Sequence, residues 1–509
     1  MSGIFYGLEI ARRGLSVSQR AIQLTGHNVA NADTKGYTRQ RLVIESVYPN
    51  TGSRLAGTFA IGGGAEATSV EQLRSAYIDR QLRGEYASLG EWTTRAEEMQ
   101  FIESILDETA KTGTLSQALA DFYQSVAKLT TDPDSGEVRT NMQQNAIKLC
   151  EKLNYYYEKL VDVQNLYNDT IKVQVDQIND KLAQIASYNK EIFAYELGGQ
   201  TAAELRDRRN LLLDELAQMV SISYSEDDEG RLSVFVEGHL MVEHIEAGRL
   251  ELVADGTGAV SGTPGYYSVC IYDPATKDVV KDPDTGEPVK IKASGGSLKA
   301  YQDLRDGDNV DNVGVPYLME QLNTLARSLA KSFNEVHEQG YTIPYGGGTS
   351  KTGVRLFAVP DDDYANVNAG NIALSADVLE SPLNIAASSR PVDLNAEDTQ
   401  KGNNENALAL YALTRSTSIE TVSNFQDFLK SFVVQVGITS ASAQEMSKSQ
   451  TIIVDNLESR RESISGVSID EEMINLVSFQ YAYAAASRVL TAVDETLETL
   501  INGTGRVGR

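Results

Sequence analysis

Apolar positions recur every seven residues at both ends of this chain. Near the N-terminus Leu8, Leu15, Ile22 and Val29 stand seven apart, with Ile4, Ala11, Ser18 and Thr25 at the second seam position. Near the C-terminus Leu476, Tyr483, Leu490 and Leu497 alternate with Phe479, Ala486, Val493 and Leu500. A two-in-seven stripe predicts a helix whose narrow apolar seam packs on another helix, so the ends are expected to pair as a coiled coil. The C-terminal helix carries its own start signal, Ser468 three positions before Glu471, and extends about 32 residues, or roughly 50 Å.

Between the ends the pattern changes twice. From Gln72 to Leu216 it predicts several long helices, with capping-box spacing at Thr114 with Gln117 and at Thr201 with Glu204. The longest covers Gly136 to Leu197, where Ile171, Ile178, Ile185 and Ile192, joined by Val175 and Leu182, form a seam for another helix. After Val220 the run ISYSEDDEGRLSVFVEGHLMV alternates as a hairpin turning at Asp228, Glu229 and Gly230, and a small β unit follows to about Ser297. Leu318 to Gln339 is helical again, Tyr341 to Asn403 is rich in Gly, Asn and Asp, and Asn406 to Leu500 returns to helical periodicity. Nine of the 11 prolines fall between Pro264 and Pro391, and since interior proline breaks helices, the long helices belong to either side of that region. The expected fold is mainly α with β insertions (α+β). It comprises a terminal coiled coil (1–65 and 455–509), a helical middle domain (66–220 and 298–454) with an irregular excursion at 341–403, and a β-rich outer domain (221–297).

Charge narrows the partners. With 45 basic and 71 acidic residues the chain carries a formal −26, the wrong sign for nucleic acid or an anionic membrane surface. No stretch approaches the roughly 20 apolar residues of a membrane span, and the opening MSGIFYGLEIARRG lacks the order of a cleavable secretion signal. Locally the ends differ in sign: residues 1–45 hold six basic against three acidic groups, and residues 458–509 hold five against eight. That favours their pairing. A seam this narrow leaves most of each helix facing water, so in a single copy the ends should fray. Neighbouring copies would then cover Ile10, Val17, Leu24, Val477, Tyr481 and Val489.

Candidate chemistry fails on spacing. Gly346 to Thr352, GGGTSKT, has Ser350 where a phosphate loop needs glycine before the lysine. Asp306, Asp308 and Asp311 suggest a calcium loop, but Val310 and Tyr317 occupy ligand positions. His239 and His244 lack metalloprotease spacing, His27 and His337 have no evident metal partner, and no G-x-S-x-G elbow occurs. Cys150 and Cys270 lie 120 positions apart and read as two isolated, half-buried thiols. No catalytic, cofactor or metal site is expected, and the chain is not expected to be an enzyme.

Residues 14 to 41, GLSVSQRAIQLTGHNVANADTKGYTRQR, resemble the N-terminal signature of the bacterial flagellar axial proteins, the family of rod, hook and hook-associated subunits. Asn28, Ala30, Asn31, Thr34, Gly36 and Tyr37 match its turn, while His27 and Lys35 depart from the Asn and Pro frequent there. By themselves these short polar side chains and the glycine suit a helix stop. Residues 465 to 503, SGVSIDEEMINLVSFQYAYAAASRVLTAVDETLETLING, are similar to the C-terminal signature of the hook-associated branch that joins hook to filament. So are RDRRNLLLDELAQMVSI at 206–222, FNEVHEQGY at 333–341 and NALALYAL at 406–413. The resemblance implies a secreted structural subunit of the flagellum at the hook–filament junction. It would be exported unfolded by the type III apparatus and would self-assemble through its terminal helices. It also implies partners: further copies in a ring or helical array, hook protein, hook-associated protein 3 and an export chaperone. The turn would connect the inner helices to the outer domains and contact adjacent subunits. A sister axial protein (hook subunit or hook-associated protein 3) and a secreted coiled-coil adhesin or effector are the alternatives. The internal segments at 206–222 and 333–341 argue against a sister axial protein.

Overall fold

The computed structural model describes residues 2–48, 62–106, 113–227, 230–254, 265–273, 276–283, 285–345, 349–397, 399–416, 419 and 424–503. The expected turn residues Asp228 and Glu229, and the first three residues of Gly346 to Thr352, lie outside these. The chain opens with α1 (Ser2–Ala30), followed by the antiparallel pair β1 (Gln40–Ser46) and β2 (Ala65–Gln72). Four helices follow: α2 (Ala76–Leu106), α3 (Leu115–Thr131), α4 (Gly136–Glu196) and α5 (Ala203–Met219). The strands β3 (Ile222–Glu226), β4 (Leu232–Val236), β5 (His239–Glu243) and β6 (Glu246–Ala247) form one antiparallel meander. A second sheet contains β7 (Leu250–Ala254), β8 (Tyr267–Asp273) and β9 (Asp278–Val279). The chain then forms α6 (Gly296–Asp306), α7 (Val315–His337), the short α8 (Ala376–Glu380), α9 (Glu405–Ser416), α10 (Phe425–Ser465) and α11 (Ile469–Gly503). The fold is mainly α, with small antiparallel sheets and long terminal helices packed together.

Two apolar cores share α4, whose 61 residues extend about 90 Å. Its first half contributes Met142, Leu149, Leu153, Tyr156, Leu160 and Tyr167 to a core with α3, α7, α9 and the start of α10. Within it Phe333 lies 5.2 Å from Phe122, centroid to centroid, and edge-on to Phe357. Its second half buries Ile171, Val175, Ile178, Leu182 and Ile185. That stripe does not serve one helix, as its heptad spacing suggested: it meets Leu213 and Leu216 of α5 together with Val234, Val242, Leu250 and Val269 of both sheets. A sheet face accepts a straight apolar ridge as well as a helix does. The spacing therefore shows the buried face and leaves its partner open.

Start and turn signals hold unevenly. Thr114 caps α3 by accepting the Gln117 N–H at 3.0 Å, but the Gln117 side chain reaches forward to Asp121 instead of back. Thr201 caps nothing: the N-cap of α5 is Ala202, whose N–H goes to Glu196 Oε1. The expected hairpin is the first half of the four-stranded meander, and β4 turns into β5 through Glu237 and Gly238, both at positive φ, the geometry that suits a twisted hairpin. Cys150 and Cys270 are fully buried, not half-buried, and no disulfide joins them.

The excursion at 341–403 has little regular structure yet buries Leu356, Phe357, Val367, Ile372, Ile385 and Ala387. Buried main chain needs partners, and polar side chains from the helices supply them. Asn334 accepts the N–H groups of Leu356 and Phe357 and donates to Phe357 O. Gln143 donates to Val378 O, Asn154 to Ala369 O, and the buried Arg139 to Pro133 O and Ile385 O. His337 donates through Nδ1 to Val354 O and accepts the Ala386 N–H at Nε2. These partners fix its neutral form, and burial holds its pKa down at about 4.

Candidate assembly interface

α1 and α11 pack antiparallel in strict heptad register. A Cβ on Gly7 would lie 3.8 Å from Val493, one on Gly14 would lie 3.7 Å from the Ala486 methyl, and Asn28 Nδ2 reaches Glu472 Oε2 at 3.3 Å. Seven residues along α1 thus match seven residues back along α11. The buried face of α1 holds Ala11, Ser18, Ala21, Thr25 and Asn28, with Gly7 and Gly14 in the same rows. It is a seam of small residues.

The larger seam residues flank it. Leu8, Leu15, Ile22 and Val29 are half-buried, as are Leu476, Phe479, Leu490, Val493 and Leu497, while Tyr483 and Leu500 are exposed. The six positions expected to await neighbours divide. Ile10 packs against Gly64 beside β2, Val17 is buried and Leu24 is half-buried, so on α1 these positions are covered within the chain, Ile10 by its own hairpin. On α11 Val477, Tyr481 and Val489 are exposed, together with Ile474; Tyr481 is 74% and Ile474 70% exposed. Ile474, Val477, Tyr481, Ala484 and Ala485 follow helical spacing, so α11 has one apolar face on α1 and another open to solvent.

The turn after α1 is a polar corner. Asn28, 2% exposed, donates to Gln40 O and accepts from the Gln40 N–H and from Tyr37 OH. Since the single Tyr37 hydroxyl proton goes to Asn28, His27 Nδ1 donates to Tyr37 at 3.0 Å. Burial, followed by the nearby carboxylates of Asp207, Glu204 and Glu472, pushes the Tyr37 phenol up. Asn31 donates to His27 O, the Thr34 N–H returns to Asn31 O, and Gly36 takes a positive φ of 80° that a side chain would strain. Thus Asn28, Asn31, Thr34 and Tyr37 form one hydrogen-bonded unit that turns at Gly36.

Beyond the turn, Arg39 binds Glu471 and Glu472 at the start of α11, and its N–H goes to Ser465 O at the end of α10. On the other side Asp207 and Asp214 of α5 hold the corner to the body. Asp207 accepts from the Thr38 N–H and from Gln72. Asp214 binds Arg83 of α2 and Arg461 of α10, and next to it Tyr86 donates to Glu458. Sequence reasoning missed these carboxylates, although both lie in the segment 206–222 it singled out. Seven-residue spacing of two aspartates on one helix was the available signal.

No group of three or more His, Cys, Asp or Glu side chains that could hold a metal occurs among the described residues, and none of their helices is long and apolar enough to cross a membrane.

Residues 99–357 match the family described as flagellar hook-associated protein FlgK helical domain, and residues 459–503 match that of the flagellar basal body rod FlgEFG protein C-terminal. Over 522 aligned residues the chain is 30% identical to flagellar hook-associated protein 1 of Bacillus subtilis (strain 168), covering 100% of both chains. It is 24% identical to flagellar hook-associated protein 1 of Escherichia coli (strain K12), covering 97% of this chain and 98% of the relative. In fold it is similar to the flagellar hook junction protein FlgK from Burkholderia pseudomallei, with a TM-score of 0.59 at 14% identity, over 76% of this chain and 100% of that one. Paired terminal helices, the polar turn and full-length similarity agree: the chain belongs to the flagellar hook-associated protein 1 (FlgK) family.

Proposed function

We propose that the chain is a non-enzymatic structural subunit of the bacterial flagellum, exported from the cell and inserted between hook and filament. Copies associate through α1 and α11 into a closed or helical array, with hook protein on one side and hook-associated protein 3 on the other. The terminal unit, residues 1–65 and 455–509, forms the inner part of that array, and the body with its β-rich unit at 221–297 faces outward. Before assembly an export chaperone covers α11. The observation that carries this reading is the second apolar face of α11, Ile474, Val477 and Tyr481, left in water after α1 has taken the first. At about 25 cal/mol per Å² of apolar surface, closing such faces around an array supplies several kcal/mol per copy. Export in an unfolded state is supported by the lack of any disulfide to reduce.

Two substitutions test it in cells that build hooks but lack their own copy of this chain. Tyr481→Asp changes an exposed position and should leave the purified chain folded yet stop its incorporation at hook tips. Leu490→Asp should do the same by opening the α1–α11 seam, with the body intact. Normal incorporation of both variants would overturn the reading.

A further inference from the structure

Two chain crossings, at 72–75 and 465–468, connect the α1–α11 pair and its hairpin to the body, and both are tied to the segment 37–40 between α1 and β1. The Arg39 N–H donates to Ser465 O at 2.8 Å, and Arg39 O accepts the Leu73 N–H at 2.8 Å. One carboxylate then anchors the bundle: Asp207, 6% exposed, accepts the Thr38 N–H at Oδ2 (3.0 Å) and Gln72 Nε2 at Oδ1 (2.7 Å), with Arg74 Nη1 3.8 Å away. α5, which carries Asp207, is itself held on its other sides. Arg206 binds Glu196 of α4 and Glu226 of β3, and Asp214 binds α2 and α10.

We propose that Asp207 is a positioning residue for assembly, setting the angle at which the α1–α11 pair leaves the body. This rests on the reading that the pair is the assembling element. The lever is long. At 1.5 Å per residue the 29 residues of α1 extend about 43 Å, so a tilt of about 10° at the root moves the tip by about 7 Å, more than one helical turn. Heptad seams on neighbouring copies do not tolerate a slip of that size.

The test uses the full chain in the same hook-bearing cells. Asp207→Asn retains an acceptor for the Thr38 N–H but opposes its new amide to that of Gln72, whose Nε2 is held in place by Ala203 O at 3.1 Å, donor against donor. It should be exported at the parental level and incorporated roughly tenfold less or worse. Adding Gln72→Glu places an acceptor opposite the new amide and restores the charge while giving up the bond from Gln72 Nε2 to Ala203 O, and incorporation should rise by about threefold or more over the single variant. Parental incorporation of Asp207→Asn, or no recovery in the double variant, overturns the proposal. If Asp207→Asn lowers the melting temperature of the purified chain, Gln72→Met removes the donor from the other side. The same loss is expected, and parental incorporation again overturns the proposal. Tyr481→Asp, run in parallel, separates the two ideas. If it is blocked while the joint variants assemble, only the joint fails; if it assembles too, the assembly reading fails.

Discussion

Arg39 and Glu472 form an ion pair between the corner turn and the first turn of α11, with Nε at 2.8 Å and Nη2 at 2.7 Å from the same carboxylate oxygen. Glu472 is 3% exposed and its second oxygen accepts Asn28. Glu472→Ala would leave the Arg39 guanidinium with Glu471 alone and the Asn28 amide with Gln40 O alone. The expected cost is about 2 kcal/mol, read as a roughly thirtyfold loss of amide-exchange protection in the last turns of α1. Glu472→Gln, which keeps an acceptor, should lose less.

Two helix glycines should respond in opposite directions to alanine. At Gly14 the new methyl would sit in ordinary contact with Ala486, and better helix propensity should stabilise the terminal pair by up to about 1 kcal/mol. At Gly90 a Cβ would fall 2.0 Å from Gln218 O, where α2 lies against the end of α5. Gly90→Ala should cost about 3 kcal/mol or more. Denaturant melts of the body and amide exchange of α1 measure the two effects.

Asn334 is fully buried and serves three main-chain groups of the excursion. Asn334→Leu keeps the volume and leaves all three without a partner, so a loss of about 3 kcal/mol or more is expected. Amide exchange should localise it to residues 354–358.

His337 makes stability depend on pH. Its folded pKa of about 4 lies below the ordinary histidine value of 6.5, so between these values the unfolded chain binds a proton that the folded chain does not. The contribution is complete above pH 6.5 and declines as pH falls toward 4, by up to about 1.4 kcal/mol per unit. His337→Asn, which can still donate to Val354 O, should flatten that slope in urea titrations at pH 7, 5.5 and 4.5.

Much of the fold was legible because large apolar residues advertise their periodicity. The Ile171 to Ile185 stripe and the caps at Thr114 and Ser468 appear where spacing put them. In the terminal seam Ala11, Ser18 and Thr25 lie where the heptad spacing put them, but Gly7, Gly14 and Ala21 were harder to read, since they contribute by their small size, which a hydrophobic pattern does not weigh. The neighbouring leucines drew attention one position away. Polar residues in the core were illegible for a different reason. Whether Asn334, Arg139 or Asp207 is buried depends on which main chain arrives to bond it, and that is decided by segments distant in sequence.

α10 runs as one helix of 41 residues from Phe425 in the aromatic core to Ser465 at the corner, about 60 Å away. No loop interrupts that shaft. A twist applied at the corner is therefore carried straight into close-packed rings, which transmit strain and do not absorb it. Under torque the molecule is expected to yield first at its hydrogen-bonded joint, where bonds can break and re-form, so that the shaft outlasts its bearing.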